Sequence, residues 1–298
     1  MKVYSLSKDD TDFIGCENDG VMVNLTRAIT LYEGTRSNDR VENIMYIDEL
    51  LLYEKLTLDY LTEVLDFVSD KGLNDEISLK IEFIVNAPLF PGKIIALGQN
   101  YREHAKEMNM EIPDEPVLFG KWPSNVIGPN EPIVKPSWIG RMDYEAELAF
   151  VIGKRAKQVK SVDAMEYIAG YTCLNDVSAR DIQKKHITQS LPWMLSKNFD
   201  TFCPMGPCIL LADTMKEPLE FTVQSSVNGK IKQNGNTRDF IFDIPTIIEY
   251  ISKIMTLEPG DVVTTGTPSG VGPLVPGDIV EITCSGIGTL INPVVTLD

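Results

Sequence analysis

Hydrophobic and polar positions divide the chain near residue 90. Before it, Ile14 to Leu25 alternates as a hairpin around Asn18-Asp19-Gly20. From Ile47 to Val68 apolar residues recur at helical spacing (Leu50, Leu51, Leu58, Leu61, Leu65), and Gly72 ends the pattern. Ile77 to Val85 alternates again, as a strand does. Ala87-Pro88-Leu89-Phe90-Pro91-Gly92 then interrupts any regular element, which predicts a small α+β domain over 1–90 and a larger domain over 91–298. Beyond Lys93, short apolar runs separated by Gly, Pro and Asp predict many strands and few helices. One helix is expected from Ser161 to Ile168, with Ser161 as N-cap. Another is expected from Pro245 to Met255, proline being harmless in a first turn. The class is therefore α+β, rich in strands.

The most informative run is Asp143-Tyr144-Glu145-Ala146-Glu147-Leu148-Ala149-Phe150-Val151-Ile152-Gly153. In a strand, residues two apart share a face about 7 Å apart along the chain. Glu145 and Glu147 would thus stand side by side, directly before a run with no polar face left. An alternating strand also puts acids on a wet face. Against that, a second acidic cluster, Asn175-Asp176-Val177-Ser178-Ala179-Arg180-Asp181, follows another apolar run. Like charges near a core need a neutraliser. Carboxylate oxygens select hard cations, so Glu145, Glu147 and Asp176 are candidate ligands for Mg2+, Mn2+ or Ca2+.

After the strand Lys93 to Leu97, Asn100 and Glu103 have capping-box spacing, so a helix is expected to start there. His104 and Glu107 would share its face, and a carboxylate beside an imidazole makes a competent general base. A surface histidine beside a glutamate has the same spacing. The other histidine, His186, lies in a polar stretch and reads as solvated. Thr265-Gly266-Thr267-Pro268-Ser269-Gly270-Val271-Gly272 lacks the ending of a phosphate loop; it is either an anion-holding turn or a hairpin turn. Local cations for an acidic substrate could come from Arg180, with Gln183 on the same face, and from Lys197, which is flanked by apolar residues.

Composition narrows the function classes. The formal net charge is −16 with no basic cluster, which argues against nucleic acid and against an anionic membrane surface. No apolar run reaches transmembrane length, and the first ten residues lack a signal-like core. Five scattered cysteines read as buried thiols in a reducing compartment, so a cytoplasmic protein is expected.

From Lys93 onward the chain resembles the fumarylacetoacetate hydrolase (FAH) family. The resemblance rests on Gly98-x-Asn100-Tyr101-x-x-His104-Ala105-x-Glu107, Asp143-Tyr144-Glu145-Ala146-Glu147-Leu148, Gly170-Tyr171-Thr172, Asn175-Asp176-Val177-Ser178-Ala179-Arg180-Asp181, Leu257-Glu258-Pro259-Gly260-Asp261 and Thr265-Gly266-Thr267-Pro268-x-Gly270-Val271-Gly272. Lys121-Trp122-Pro123-Ser124 departs from the family's commoner K-P-S. The resemblance implies a mixed β-roll or sandwich catalytic domain, commonly homodimeric, with Mg2+ or a similar ion on Glu145, Glu147 and Asp176. It implies that His104 and Glu107 activate water, that Lys197 and Gln183 bind substrate and stabilise its enolate, and that Tyr101, Arg180 and Thr267 lie at the substrate. The activity implied is hydrolysis of a C–C bond in a small 2,4-dioxo acid of acylpyruvate or fumarylpyruvate type. Oxaloacetate decarboxylation and hydroxymuconate-type isomerisation or hydration are alternatives, and a silent metal-binding scaffold is a third. A binder, however, needs no general base.

Overall fold

The fold is described by a computed structural model covering every residue except 19, 37–42, 81, 108–110, 216–218 and 297–298. The side chains of residues 104 and 105 are also outside the description. Among the described residues an eleven-stranded sheet forms the middle of the molecule. Its main path runs Val21–Asn24, Thr11–Asn18, Lys2–Lys8, Cys203–Leu211, Ile168–Asn175, Ala146–Ile152, Val262–Thr264, Ile94–Gly98 and Val117–Lys121. Neighbours are antiparallel except Val262–Thr264 beside Ile94–Gly98. A five-stranded sheet (Lys230–Asn236, Thr222–Val227, Ile279–Cys284, Gly288–Val295, Ile133–Val134) packs on one face. The strand-rich α+β class expected from the pattern is the one observed.

The central strands look apolar throughout because both faces are covered. On Ala146–Ile152, the residues Leu148, Phe150 and Ile152 join a core with Val223, Ile282 and Leu290 of the five-stranded sheet. The alternate residues Ala149 and Val151 join a second core with Leu61, Val64 and Leu65 of the helix Leu58–Asp70. This is the two-residue period of a strand applied to two apolar layers. The first ninety residues thus share a sheet and a core with the rest: Lys2–Lys8 pairs with Cys203–Leu211. No described helix is long and apolar enough to cross a membrane.

Local expectations were modified in four places. The helix expected over 47–68 is two, Ile47–Leu52 and Leu58–Asp70. Glu54 takes φ 54° and the Thr57 side chain caps the second helix by accepting the Tyr60 N–H, a break invisible to apolar spacing because Leu56 stays buried. The strand expected over 77–85 shrinks to Ile84–Val85, and Ile77 closes a short helix instead. That stretch meets two different partners, Met22 through the Leu79 N–H and then Ser7 opposite Ile84, so no continuous ladder forms. Ser161 opens a 3-10 helix, Ser161–Tyr167, as its first residue, with Lys160 at the N-cap position and no side-chain capping bond. Asn100 does not cap the helix Arg102–Glu107. It is buried, its amide donates to the Phe242 and Thr265 carbonyls, and its oxygen accepts the Phe242 N–H. Two other expectations hold. The hairpin Thr11–Asn18/Val21–Asn24 forms, although Asp19 of its turn lies outside the described residues, and the helix Ile244–Ile254 carries Pro245 in its first turn.

Candidate metal and substrate site

Strand register brings the three acids together. Ala146 pairs with Asn175 in the antiparallel ladder, so the residues just outside it, Glu145 and Asp176, are neighbours; the Asp176 N–H donates to the Glu145 carbonyl at 2.9 Å. Glu145 sits where the chain leaves the three-stranded sheet at Tyr144 and enters the long strand at Ala146. Side chains replace ladder bonds at this junction: Asn175 accepts the Glu145 N–H and Gln233 accepts the Ala146 N–H, each at 3.0 Å. Glu147, one pair into the ladder, accepts the Gly266 N–H at 2.9 Å from the loop after Val262–Thr264. Gly266 has φ 87°, and an added Cβ would lie 3.0 Å from the Asn100 Cβ, so this approach needs glycine.

Carboxylate oxygens of Glu145, Glu147 and Asp176 all lie within 4.8 Å of one another, and all three residues are buried. Burial first, then Asp176 and Glu145, push the Glu147 carboxyl well above its ordinary range. The Lys197 ammonium donates to Glu145 at 2.6 Å and to Asp176 at 2.5 Å. Burial opposes its charge, but Asp176 and Glu145 outweigh burial and raise the group above its ordinary value. Arg180 donates to Glu145, to Gln183 and, at 2.8 Å, to Asp143. Three hard-oxygen donors this close and this buried are a donor set that fits a divalent cation.

Above the acids lies a cavity of about 130 Å³ whose other walls include Leu97, Val117, Phe119, Ile187 and Trp193. Of the residues singled out from sequence, Glu145, Glu147, Asp176, Arg180, Gln183, Lys197 and Thr267 line it together. Thr267 is committed elsewhere: its hydroxyl donates to the Ala146 carbonyl at 2.8 Å and accepts from Gln233 at 2.7 Å. Tyr101 is not among the lining residues; it is buried with its ring edge-on to Phe240, centroids 4.9 Å apart. Glu107 is exposed and receives the Gly270 N–H at 3.2 Å on each oxygen. Gly270 has φ 97°, and a Cβ there would strike the Lys232 carbonyl. The His104 side chain lies outside the described residues. His186 stands on the helix Arg180–Thr188 rather than in a linker, half-buried, with Nδ1 3.1 Å from the Pro192 carbonyl oxygen.

Sequence reasoning missed Lys121 and Asp143 as members of the cluster. The Lys121 ammonium, fully buried, donates to Asp176 and to the Lys197 carbonyl, each at 2.7 Å. Asp143 accepts from Arg141 at 2.6 Å as well as from Arg180. Asp143 shares the parity of Glu145 and Glu147, and that signal was available. Lys121 was marked only through the K-P-S resemblance, without a partner, because Asp176 lies 55 positions away along the chain.

Residues 93–295 match the family described as fumarylacetoacetate (FAA) hydrolase C-terminal. The chain is similar to the mitochondrial oxaloacetate tautomerase FAHD2A of Homo sapiens, 41% identical over 212 residues, covering 69% of this chain and 67% of that protein. Among solved structures it is similar to a 5-carboxymethyl-2-hydroxymuconate delta-isomerase from Mycobacterium smegmatis, at 34% identity and TM-score 0.74, with both chains covered in full. It is also similar to a maleylpyruvate hydrolase from Sphingobium sp. SYK-6, solved with manganese(II) and pyruvate, at 29% identity and TM-score 0.78, again with full coverage of both. With more than half of its length matched, and with this fold, the chain belongs to the fumarylacetoacetate hydrolase family.

Proposed function

We propose that this protein is a divalent-metal-dependent enzyme that cleaves a C–C bond in a small 2,4-dioxo acid of acylpyruvate or fumarylpyruvate type. The observation that carries the reading is the convergence of Glu145, Glu147 and Asp176 beside the Lys197 ammonium on the floor of a small cavity. The three carboxylates would hold Mg2+, Mn2+ or Ca2+, and the maleylpyruvate hydrolase relative, with manganese and pyruvate together, supports that pairing. When bound, the ion supplies Lewis acidity and a template for a 2-oxo-carboxylate. Lys197 and Arg180 orient the carboxylate end, with Gln183 holding the Arg180 guanidinium. His104, on the same short helix as Glu107, takes the proton of an attacking water, while Glu107 is held in place by the Gly270 N–H. Attack on the distal carbonyl breaks the bond to the 2-oxo acid carbons, and pyruvate leaves as its enolate, whose developing charge faces the Lys197 ammonium.

The second reading is tautomerisation, isomerisation or decarboxylation of a related 2-oxo acid without hydrolysis, favoured by the tautomerase and isomerase relatives. Assays with each metal on acetylpyruvate, fumarylpyruvate and oxaloacetate separate the two. In the hydrolytic reading His104→Ala loses about 100- to 10,000-fold in hydrolysis. Decarboxylation, which needs no activated water, falls much less. Parental hydrolysis in the variant would remove His104 from the mechanism. A homodimer and a cytoplasmic location complete the proposal; sedimentation in solution and imaging of the tagged protein test them.

A further inference from the structure

The cavity has two unlike ends. Its floor is ionic: Glu145, Glu147, Asp176, Lys197 and Arg180 are all buried, and the two cations are already spanned by carboxylates. The rest of its lining is mainly apolar, with Leu97, Val117, Phe119, Ile187 and Trp193 beside Gly98 and the uncharged polar residues Gln99, Gln183 and Thr267. Ile187, 45% exposed, marks the mouth, whereas Leu97 and Glu147, each 1% exposed, lie deep. The rings of Phe119 and Trp193 touch, centroids 4.8 Å apart. Phe119 also lies 5.3 Å from the Lys197 Nζ, so the aromatic pair begins where the ionic floor stops. Every charged side chain described as lining the cavity belongs to that floor.

We infer that the site takes a 2-oxo acid whose distal end is apolar and uncharged, and that Trp193 is the residue that selects it. The inference rests on the reading of the floor as a 2-oxo acid site. A substrate anchored by its 2-oxo-carboxylate extends outward along Phe119 and Trp193. An alkyl or aryl tail buries apolar surface there. A second carboxylate would lose water, and among the described lining residues no cation outside the floor replaces it. The wall thus favours an acylpyruvate with an uncharged acyl group over a dicarboxylate of equal length.

Binding of unreactive 2-oxo acids tests this without turnover. Titration calorimetry of the full chain in Mn2+ would compare pyruvate, 2-oxohexanoate and 2-oxoadipate, the last two of equal length. The parent should bind 2-oxohexanoate about ten- to a hundredfold tighter than 2-oxoadipate. Trp193→Ala should erase most of that ratio with pyruvate affinity unchanged, Trp193→Phe should restore it, and Trp193→Arg should shift it toward 2-oxoadipate. If pyruvate binds but the parent holds the two longer acids equally, or prefers 2-oxoadipate, the inference is overturned and the 2-oxo acid reading stands. An unchanged ratio in both Trp193→Ala and Trp193→Arg removes Trp193 as the selector. If no 2-oxo acid binds, pyruvate included, both readings fall together.

Discussion

Glu145 and Glu147 are chemically identical and two residues apart, yet their partners differ. Glu145 accepts from Arg180 and Lys197, so Glu145→Gln strips a counter-charge from two buried cations. Glu147 instead meets the Gly266 N–H and is pushed up by burial, Asp176 and Glu145. In excess chelator, Glu147→Gln should therefore melt no lower than the parent and most plainly higher, because repulsion is relieved. Glu145→Gln should lose on the order of 1–3 kcal/mol under the same conditions. Added metal should stabilise the parent by about 2.7 kcal/mol at a hundred times its dissociation constant. Both variants should forfeit most of that gain. Thermal scans with chelator and with Mn2+ check each sign, and equal melting of the two variants in chelator would contradict the partner assignment.

Among elements, the helix Ile244–Ile254 shows how local signals and packing combine. Asp243 caps it by accepting the Thr246 N–H at 2.9 Å, Pro245 opens it, and Ile244, Ile247, Ile248 and Ile251 bury one face. Glu249 ties it to the 3-10 helix Ser161–Tyr167, accepting the Ser161 N–H at 2.9 Å and the Lys253 ammonium at 2.6 Å. The Lys253 hydrogen bond first, and then Ser161, lower the Glu249 carboxyl to about 2 from its ordinary 4.5. Because the folded value is depressed, the stabilisation is present above pH 4.5 and is lost as pH falls toward 2. Glu249→Gln should flatten that part of the acid-denaturation profile, lowering stability near neutrality toward the parent's acid value while leaving the acid end unchanged. A profile identical to the parent's between those pH values would mean the ion pair contributes nothing.

At the scale of the molecule, the face that carries Glu145 and Glu147 continues along the same strand as Ala149 and Val151, which the N-terminal layer covers. We expect the first ninety residues to act as the second apolar layer of the central sheet. Residues 91–298 expressed alone would leave Ala149, Val151, Leu174, Met205 and Ile209 without the helix Leu58–Asp70 and its neighbours. The unpaired edge of Cys203–Leu211 would also be open. The truncated chain should aggregate or bind a hydrophobic dye strongly, and co-expression with 1–90 should restore solubility. A monodisperse, cooperatively melting 91–298 fragment would show that the boundary near residue 90 separates independent folding units.

Much of the site was legible because its information is local. Period-two alternation places Glu145 and Glu147 on one face, the motif around Asp176 marks a strand end, and a lysine among apolar residues signals a buried ammonium. These follow from backbone geometry and from the cost of isolated charge, and they need no knowledge of the fold. Apolar periodicity likewise announced the helix Ile244–Ile254 and the strand-rich class. Hydrogen-bond partners are a different matter. Asn100, with the spacing of a helix cap, instead pins Phe242 and Thr265; Thr267, with the look of a substrate hydroxyl, is spent on Ala146 and Gln233. Lys121 reaches Asp176 from 55 positions away. Such choices depend on which strands become neighbours and in what register, and that is settled by burying two apolar layers at once. The sequence by itself determined which residues had to be neutralised; only the tertiary structure decided by whom, because charges pair across space and not along the chain.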